Sequence, residues 1–311
     1  MTSLVTPPGP AGAGTPPSNL HHEAMGSESA ARARGDSLLL GGRYRLGRWL
    51  GGGSEAQVHQ AWDERTGTLL AAKIFRGAEP QSGGVLNQEP GTSTAFQREL
   101  DIHRRLRHRN IVRLRGSGGL SADGRVRDFL VMDLVDGRDL RSVLREAPAG
   151  PLLTVAWMSD VARALAYVHR RGIVHNDVKP GNILVAGAAG PGRAMLTDFG
   201  IAISPGHPRR SSFSGTPHYM SPEAVRGETP TPASDIYALG LVTLECLTGT
   251  KAFPGPPLES MVARTLSEPR VPGTVRRRWS MVLHAMTDPD PAGRPSASQV
   301  VGMFRRLRWR A

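Results

Sequence analysis

The tightest constraint on how this chain can fold is a lysine placed inside an apolar strand. Residues 71–75 read Ala-Ala-Lys-Ile-Phe, a buried-strand pattern interrupted by Lys73. An ammonium group there is costly to desolvate unless it is paired. The alternative is an edge position from which its long stem carries the charge to water. The rest of the chain makes the choice of lysine conspicuous. Among 39 Lys and Arg residues, lysine stands only at Lys73, Lys179 and Lys251. Arginine serves everywhere else, and the two differ most at sites that need a compact point charge.

The second lysine lies in Val174–Val185, VHNDVKPGNILV, which reads as a tight loop entering a short strand. Asp177, Lys179 and Asn182 form the pattern D-x-K-x-x-N. Each type has a use in phosphoryl transfer. A carboxylate orients or accepts a hydroxyl proton, an ammonium neutralises the moving phosphate, and an amide oxygen ligates a hard cation such as Mg²⁺.

Periodicity divides the remainder. From Tyr44 the sequence alternates as strands joined by turns, with a hairpin predicted at Glu64–Gly67. The segment TAFQRELDIHRRL predicts a helix with Phe96, Leu100 and Leu106 roughly on one face. His103 on that helix either faces solvent or packs inside. HRNIVRLRGSGG and VRDFLVMDLVDGRDL predict two more strands. Beyond them DLRSVLREA and LLTVAWMSDVARALAYVHRRG are amphipathic helices, the second ending at Gly172. Their Trp and Met residues read as core. Residues 1–42, rich in Pro, Gly, Ala and Ser, are expected to be a disordered tail.

In order along the chain, the motifs resemble those of the bacterial, eukaryotic-like Ser/Thr protein kinases over about residues 43–308. Gly51-Gly52-Gly53-Ser54-Glu55-Ala56-Gln57-Val58 resembles the glycine-rich loop G-x-G-x-x-G-x-V, with Ala56 for the third glycine. His175-Asn176-Asp177 resembles H-R-D with Asn176 for arginine, the non-RD form. Asp198-Phe199-Gly200 resembles D-F-G, and Ser221-Pro222-Glu223 resembles A-P-E with serine for alanine. Asp235 in SDIYALG and Arg294 in DPAGRP complete the set.

The resemblance implies an α+β, bilobal protein-kinase fold. A small β-rich lobe with one main helix would span about 43–133, and a larger, mostly helical lobe about 136–308. It implies ATP and Mg²⁺ (Mn²⁺ as a substitute) in the cleft, and transfer to Ser/Thr hydroxyls of proteins, autophosphorylation included. Lys73, held by Glu99, would position the α- and β-phosphates. Asp177 would orient the acceptor hydroxyl and Lys179 neutralise the γ-phosphate. Asn182 and Asp198 would hold the metal. Gly51, Gly53, Val58, Ala71 and Leu184 would enclose the nucleotide. Met132 falls at the gatekeeper position, Asp133 and Val135 would present hinge backbone to adenine, and Asp139 would reach the ribose. Glu223 and Arg294 would form a buried pair, and Asp235 would hold the catalytic-loop backbone. At His103 the family usually has an apolar residue of an internal spine. Lys179 and Thr216 favour Ser/Thr over Tyr acceptors. Uncharged Asn176 implies transfer without phosphorylation of the activation segment, where Ser211, Ser212 and Ser214 lie beside Arg209 and Arg210.

Other classes fit less well. A binding-only pseudokinase should lack Lys73, Asp177 or Asp198, and a small-molecule phosphotransferase should lack the Glu223–Arg294 set. The net charge of +12 reads as scattered arginine; with aromatics at 5% there is no base-stacking platform, so no nucleic-acid partner is expected. One cysteine, Cys246, excludes a disulfide framework and points to a cytoplasmic setting. No apolar run is long enough to span a membrane. The oligomeric state and the physiological substrate are not legible in the sequence.

Overall fold

A computed structural model describes residues 38–53, 56–76, 94–122, 125–187, 192–204 and 216–308. The first part is an antiparallel sheet. Its strands are β1 (Leu39–Leu40), β2 (Tyr44–Gly52), β3 (Ala56–Asp63), β4 (Thr68–Phe75), β5 (Leu114–Ala122) and β6 (Arg125–Asp133). They lie in the order β1-β2-β3-β4-β6-β5. The hairpin between β3 and β4 closes at Asp63, whose carbonyl accepts the N–H groups of Thr66 and Gly67 at 3.2 and 2.8 Å. Gly67 takes φ 64°, a left-handed angle that suits glycine.

Alternation along β4 fixes which way Lys73 points. Leu70, Ala72 and Ile74 join Leu40, Tyr44, Phe129 and Val131 in one core. The other face carries Lys73 and Phe75, and Phe75 packs with Ala56, Leu130 and Phe96 of helix α1 (Thr94–His103). The register places Lys73 opposite Leu130 of β6 and Val58 of β3, in the interior of the sheet. The edge alternative for Lys73 is thereby excluded.

The helical part is built on α3 (Gly150–His169) and α5 (Pro232–Thr248), after the short α2 (Leu140–Leu144). From Ser234 to Leu244 every residue of α5 is buried. Thr231 and Ser234 cap its start reciprocally, and Gly249 ends it at φ 74°. Helices α4 (Pro222–Val225), α6 (Pro257–Leu266), α7 (Arg277–Met286) and α8 (Ala297–Arg308) complete this part. Val300 and Phe304 of α8 join Met158, Leu165, Leu239 and Trp279 in its core. The arginines at the end of α8 lie on the opposite, solvated face. A small sheet, β7 (Gly137–Asp139), β8 (Ile183–Ala186) and β9 (Arg193–Leu196), bridges the two parts. At Gly137 a Cβ would come within 2.0 Å of the Val185 carbonyl oxygen, so only glycine allows β7 to approach β8. Among the described residues no helix is long and apolar enough to cross a membrane.

Three local expectations differ from the structure. Pairing begins at Leu39, before the expected start, because Leu40 is fully buried against the sheet. Leu106 is buried but lies in a turn beyond α1; Ile102 is the buried helical residue there. His108–Arg113 is not strand, and β5 starts at Leu114. Residues 1–37 of the predicted tail 1–42, the tip residues Ser54 and Glu55, and the Ser211, Ser212, Ser214, Arg209 and Arg210 cluster lie outside the described residues.

Candidate active site

Lys73 reaches out of β4 between two carboxylates. Its Nζ lies 2.6 Å from Glu99 Oε2 and 2.9 Å from Asp198 Oδ1. Glu99 is completely buried on α1, and Asp198 follows β9. Burial opposes the ammonium charge, but Glu99 and then Asp198 outweigh it and raise the Lys73 pKa above its ordinary value. For Asp198, desolvation works against the anion, yet Lys73 foremost, with His175 and Lys179, holds it down to about 2. The Asp198 side chain nonetheless keeps 41% of its surface open to solvent. Gly200 allows this closeness, since a Cβ there would lie 3.1 Å from Glu99 Oε2.

Beneath this centre Phe199 is fully buried between two histidine rings. Its centroid is 5.4 Å from His103 and 4.8 Å from His175. His103 faces inward and is fully buried, which decides between the two readings of that residue. Its Nε2 donates to the Val112 carbonyl at 2.6 Å, and burial lowers its pKa. A neutral imidazole thus fills an apolar slot with one polar edge satisfied. His175 is also buried; its Nδ1 accepts from Asp177 N–H at 3.2 Å, and its Nε2 donates to Thr197 O at 3.1 Å.

The loop from His175 to Asn182 is held from below by α5. Asp235, almost wholly buried, accepts His175 N–H and Asn176 N–H, each at 2.8 Å. His169 Nε2 at the end of α3 adds a third bond at 2.8 Å. Asn176 takes φ 64°, and Asn tolerates this left-handed region better than other L-residues. Its side-chain amide reaches Ile201 O at 3.4 Å, and Val174 and Ile203 exchange two 2.9 Å backbone bonds beside it.

This brace sets the second lysine–carboxylate centre. Asp177 Oδ2 lies 2.6 Å from Lys179 Nζ and 2.9 Å from Asn182 Nδ2. Its Oδ1 accepts from Thr216 N–H at 3.1 Å and from Thr216 Oγ1 at 2.8 Å. Lys179 Nζ also donates to Thr216 Oγ1 at 2.8 Å. The arrangement holds a hydroxyl between a carboxylate and an ammonium.

The donors present suit a hard divalent cation that keeps part of its shell for substrate. The Asn182 amide nitrogen is committed to the Asp177 carbonyl and carboxylate, at 3.0 and 2.9 Å. That leaves its amide oxygen, with the solvent-facing Asp198 carboxylate, to act as ligands. Among the described residues no cluster of three or more His, Cys, Asp or Glu could hold a metal by itself. One carboxylate and one amide, completed by phosphate oxygens, is the manner in which Mg²⁺ binds at nucleotide sites.

The roof of the cleft is the β2–β3 turn. Gly51 pairs with Val58, and Gly53 N–H donates to Ala56 O at 2.9 Å. A Cβ at Gly51 or Gly53 would project into open space. The tight position is Gly52, where a Cβ would meet Ala56 O at 3.0 Å. The Ala56 methyl is buried against Phe75 and Phe96, so the departure from glycine serves packing. Ala71 and Met132 are buried neighbours on β4 and β6, and Leu184 is half-buried on β8. Asp133 commits its N–H to Arg113 O at 2.9 Å and its carboxylate to Arg115. Val135 is half-buried just beyond. Asp139 caps α2, accepting Ser142 N–H at 3.0 Å and Ser142 Oγ at 2.6 Å.

Behind the site Glu223 and Arg294 meet through two bonds of 2.8 and 2.9 Å. Sequence reasoning missed His169, Gly52 and Arg264. The last is a buried guanidinium that donates to Met220 O at 2.5 Å and braces the Thr216–Ser221 segment from α6. Only the two glycines beside Gly52 and the long helix ahead of His169 marked their neighbourhoods.

The model of the protein kinase domain matches residues 44–303. The serine/threonine-protein kinase PkaA of Streptomyces coelicolor is 37% identical over 275 residues, 86% of this chain and 50% of that protein. The serine/threonine-protein kinase PknA of Mycobacterium tuberculosis is 33% identical over 241 residues, 76% of this chain and 53% of that protein. PknB of Mycobacterium leprae, also named a serine/threonine-protein kinase, is 32% identical over 242 residues, 76% of this chain and 37% of that protein. The chain spans about half the length, or less, of these relatives.

Proposed function

The chain belongs to the protein kinase family, and from that premise we propose that it transfers the γ-phosphoryl group of ATP to Ser and Thr hydroxyls of proteins, its own included. We assign the transferase to residues 43–308, with a strand-rich lobe of about 43–133 and a helical lobe of about 136–308. The observation that carries the reading concerns the lysines. Two of the three are bound to carboxylates in one cleft, and Asp198 is within electrostatic reach of both.

Roles follow from what each group is free to do. Lys73, oriented by Glu99, binds the α- and β-phosphates. Gly51, Gly53, Val58, Ala71 and Leu184 enclose the nucleotide, Asp133 and Val135 offer backbone to adenine, and Asp139 meets the ribose. Asn182 and Asp198 would hold Mg²⁺, which would supply positive charge to the phosphates. Asp177, fixed by Asn182 and Thr216, orients the acceptor hydroxyl and takes up its proton. Lys179 supplies positive charge where the phosphoryl group moves. Most of the acceleration is positioning and fixed electrostatics, because the groups are already aimed before substrate arrives.

The test is phosphate transfer from ATP with Mg²⁺ to a generic protein substrate and to the chain itself. Asp177→Asn and Asp198→Asn are each expected to lose at least about a hundredfold, roughly 2.7 kcal/mol of barrier. Asp177→Asn should still bind nucleotide. Wild-type turnover in either variant overturns the assignment.

A further inference from the structure

We propose that Arg141 makes the acceptor groove selective for segments with Asp or Glu beside the Ser or Thr that is phosphorylated. This deepens the transfer reading given above and rests on it. The phosphorylated hydroxyl must lie at Asp177 and Lys179, so its flanking residues cross the surfaces beside the catalytic loop and the Thr216–Tyr219 turn. Arg141 lies against the first of these surfaces. Its guanidinium lies over Gly181 of the catalytic loop, where a Cβ would meet Arg141 Cζ at 3.8 Å and Nε and Nη2 at 3.9 Å. Gly181 sits two residues after Lys179 and directly before Asn182. Having no side chain, it leaves the guanidinium open to whatever runs along the loop. Arg141 is also near enough to act electrostatically on Tyr219, which is three residues after Thr216.

The balance of charge at this surface is the second part of the case. The Arg141 side chain is 65% exposed, and its nearest carboxylate, Asp139, is 3.8 Å away. That carboxylate is already engaged by two bonds from Ser142. Glu245, the acidic group behind the turn, accepts from Tyr219 OH at 2.7 Å. Lys251 is exposed and acts on both Glu245 and His218. Asp139 and Glu245 each already accept hydrogen bonds from neighbours, while the guanidinium keeps planar donors for a visiting carboxylate. An arriving lysine or arginine would meet repulsion from Arg141.

The experiment uses the full chain and three synthetic peptides with one Thr acceptor. They differ only in having Asp, Ala or Arg on both sides of it. For wild type, kcat/KM for the acidic peptide should exceed that for the neutral one by about tenfold, the size of one charge-assisted contact. The difference should lie in the peptide KM, with KM for ATP and kcat unchanged. Arg141→Ala should level the acidic and neutral peptides, and Arg141→Glu should invert the order in favour of the basic one. Equal use of the three peptides by wild type, or an acidic preference that survives Arg141→Glu, overturns the proposal. Binding of the same peptides, labelled and followed by fluorescence anisotropy, separates this inference from the transfer reading. Acidic-peptide binding that Arg141→Glu abolishes, without transfer, sustains the role of Arg141 and overturns the kinase reading alone. Binding indifferent to peptide charge overturns the role of Arg141 whether or not transfer occurs.

Discussion

Among the buried cation–carboxylate centres of the described residues, Glu223–Arg294 and Lys73–Glu99 are built to opposite ends. Glu223 and Arg294 are sealed, with side chains 3% and 0% exposed. Glu223 also accepts from Ser234 Oγ at 2.7 Å. Arg294 also reaches the carbonyls of Asp288, Ala233 and Pro289 and lies over the Tyr237 ring. Lys73 and Glu99 are equally close but open onto a cleft through Asp198. A centre with every donor spent holds helices together, whereas one with a solvent-facing carboxylate can exchange partners. Arginine's planar fork suits the first and lysine's point charge the second.

The sharpest way to break this contrast is to exchange the cation in the open centre. Lys73→Arg keeps the charge but not the shape, because the ammonium has carboxylate oxygens within 3 Å on two sides. Transfer is expected to fall by at least about a hundredfold, nearly as far as in Lys73→Ala. Initial rates with saturating ATP decide it, and near-normal activity would make Lys73 a structural residue. Melting temperature should fall less than for the sealed pair, since the guanidinium keeps a positive charge beside buried Glu99.

Opening the sealed centre should act on stability. Glu223→Ala or Arg294→Ala leaves a buried charge without its partner, at a cost of about 3–5 kcal/mol. Denaturant unfolding measures this, and unchanged midpoints in both variants would refute the sealed description. The pair also gives an acid limit with a definite sign. Burial raises the Glu223 pKa, but Arg294 and Ser234 together hold it down to about 2, against an ordinary 4.5. Its contribution is complete above about pH 4.5 and is lost as pH falls towards 2. Glu223→Gln should flatten the wild-type loss of stability in that window. Asp198 is held equally low, but its water-facing carboxylate makes a smaller contribution to folding.

The smallest expected effect tests the loop between the two centres. Asn176 occupies a left-handed backbone position whose N–H is tied to Asp235. Asn176→Arg should cost about 1 kcal/mol, because a long side chain gains no local compensation there. Asn176→Gly should be near neutral in melting temperature. An arginine variant as stable as wild type would show that the strained angle relaxes when the side chain changes.

Much of the site was legible before any coordinates because its chemistry demands particular residue types at fixed spacings. Asp177, Lys179 and Asn182 share one loop, and a loop's spacing is written in the chain. Lys73 announced itself by the cost of an ammonium within an apolar strand. His103 was undecidable from sequence, since one helix position can face either way until Phe199 closes over it. Asp235 was expected as a brace, but His169 as its third donor was not, because a histidine at a helix end has no local signature.

The sequence by itself determined the order of strands and helices, the lysine in the strand and the composition of the catalytic loop. These depend on periodicity and on neighbours within a few residues. Tertiary structure alone decided that Asp198 meets Lys73 beside Glu99, that Gly52 and not Gly51 is sterically required, and that the Arg141 guanidinium lies over Gly181. Each of those depends on groups brought together across the fold, and burial, not adjacency, sets their energies.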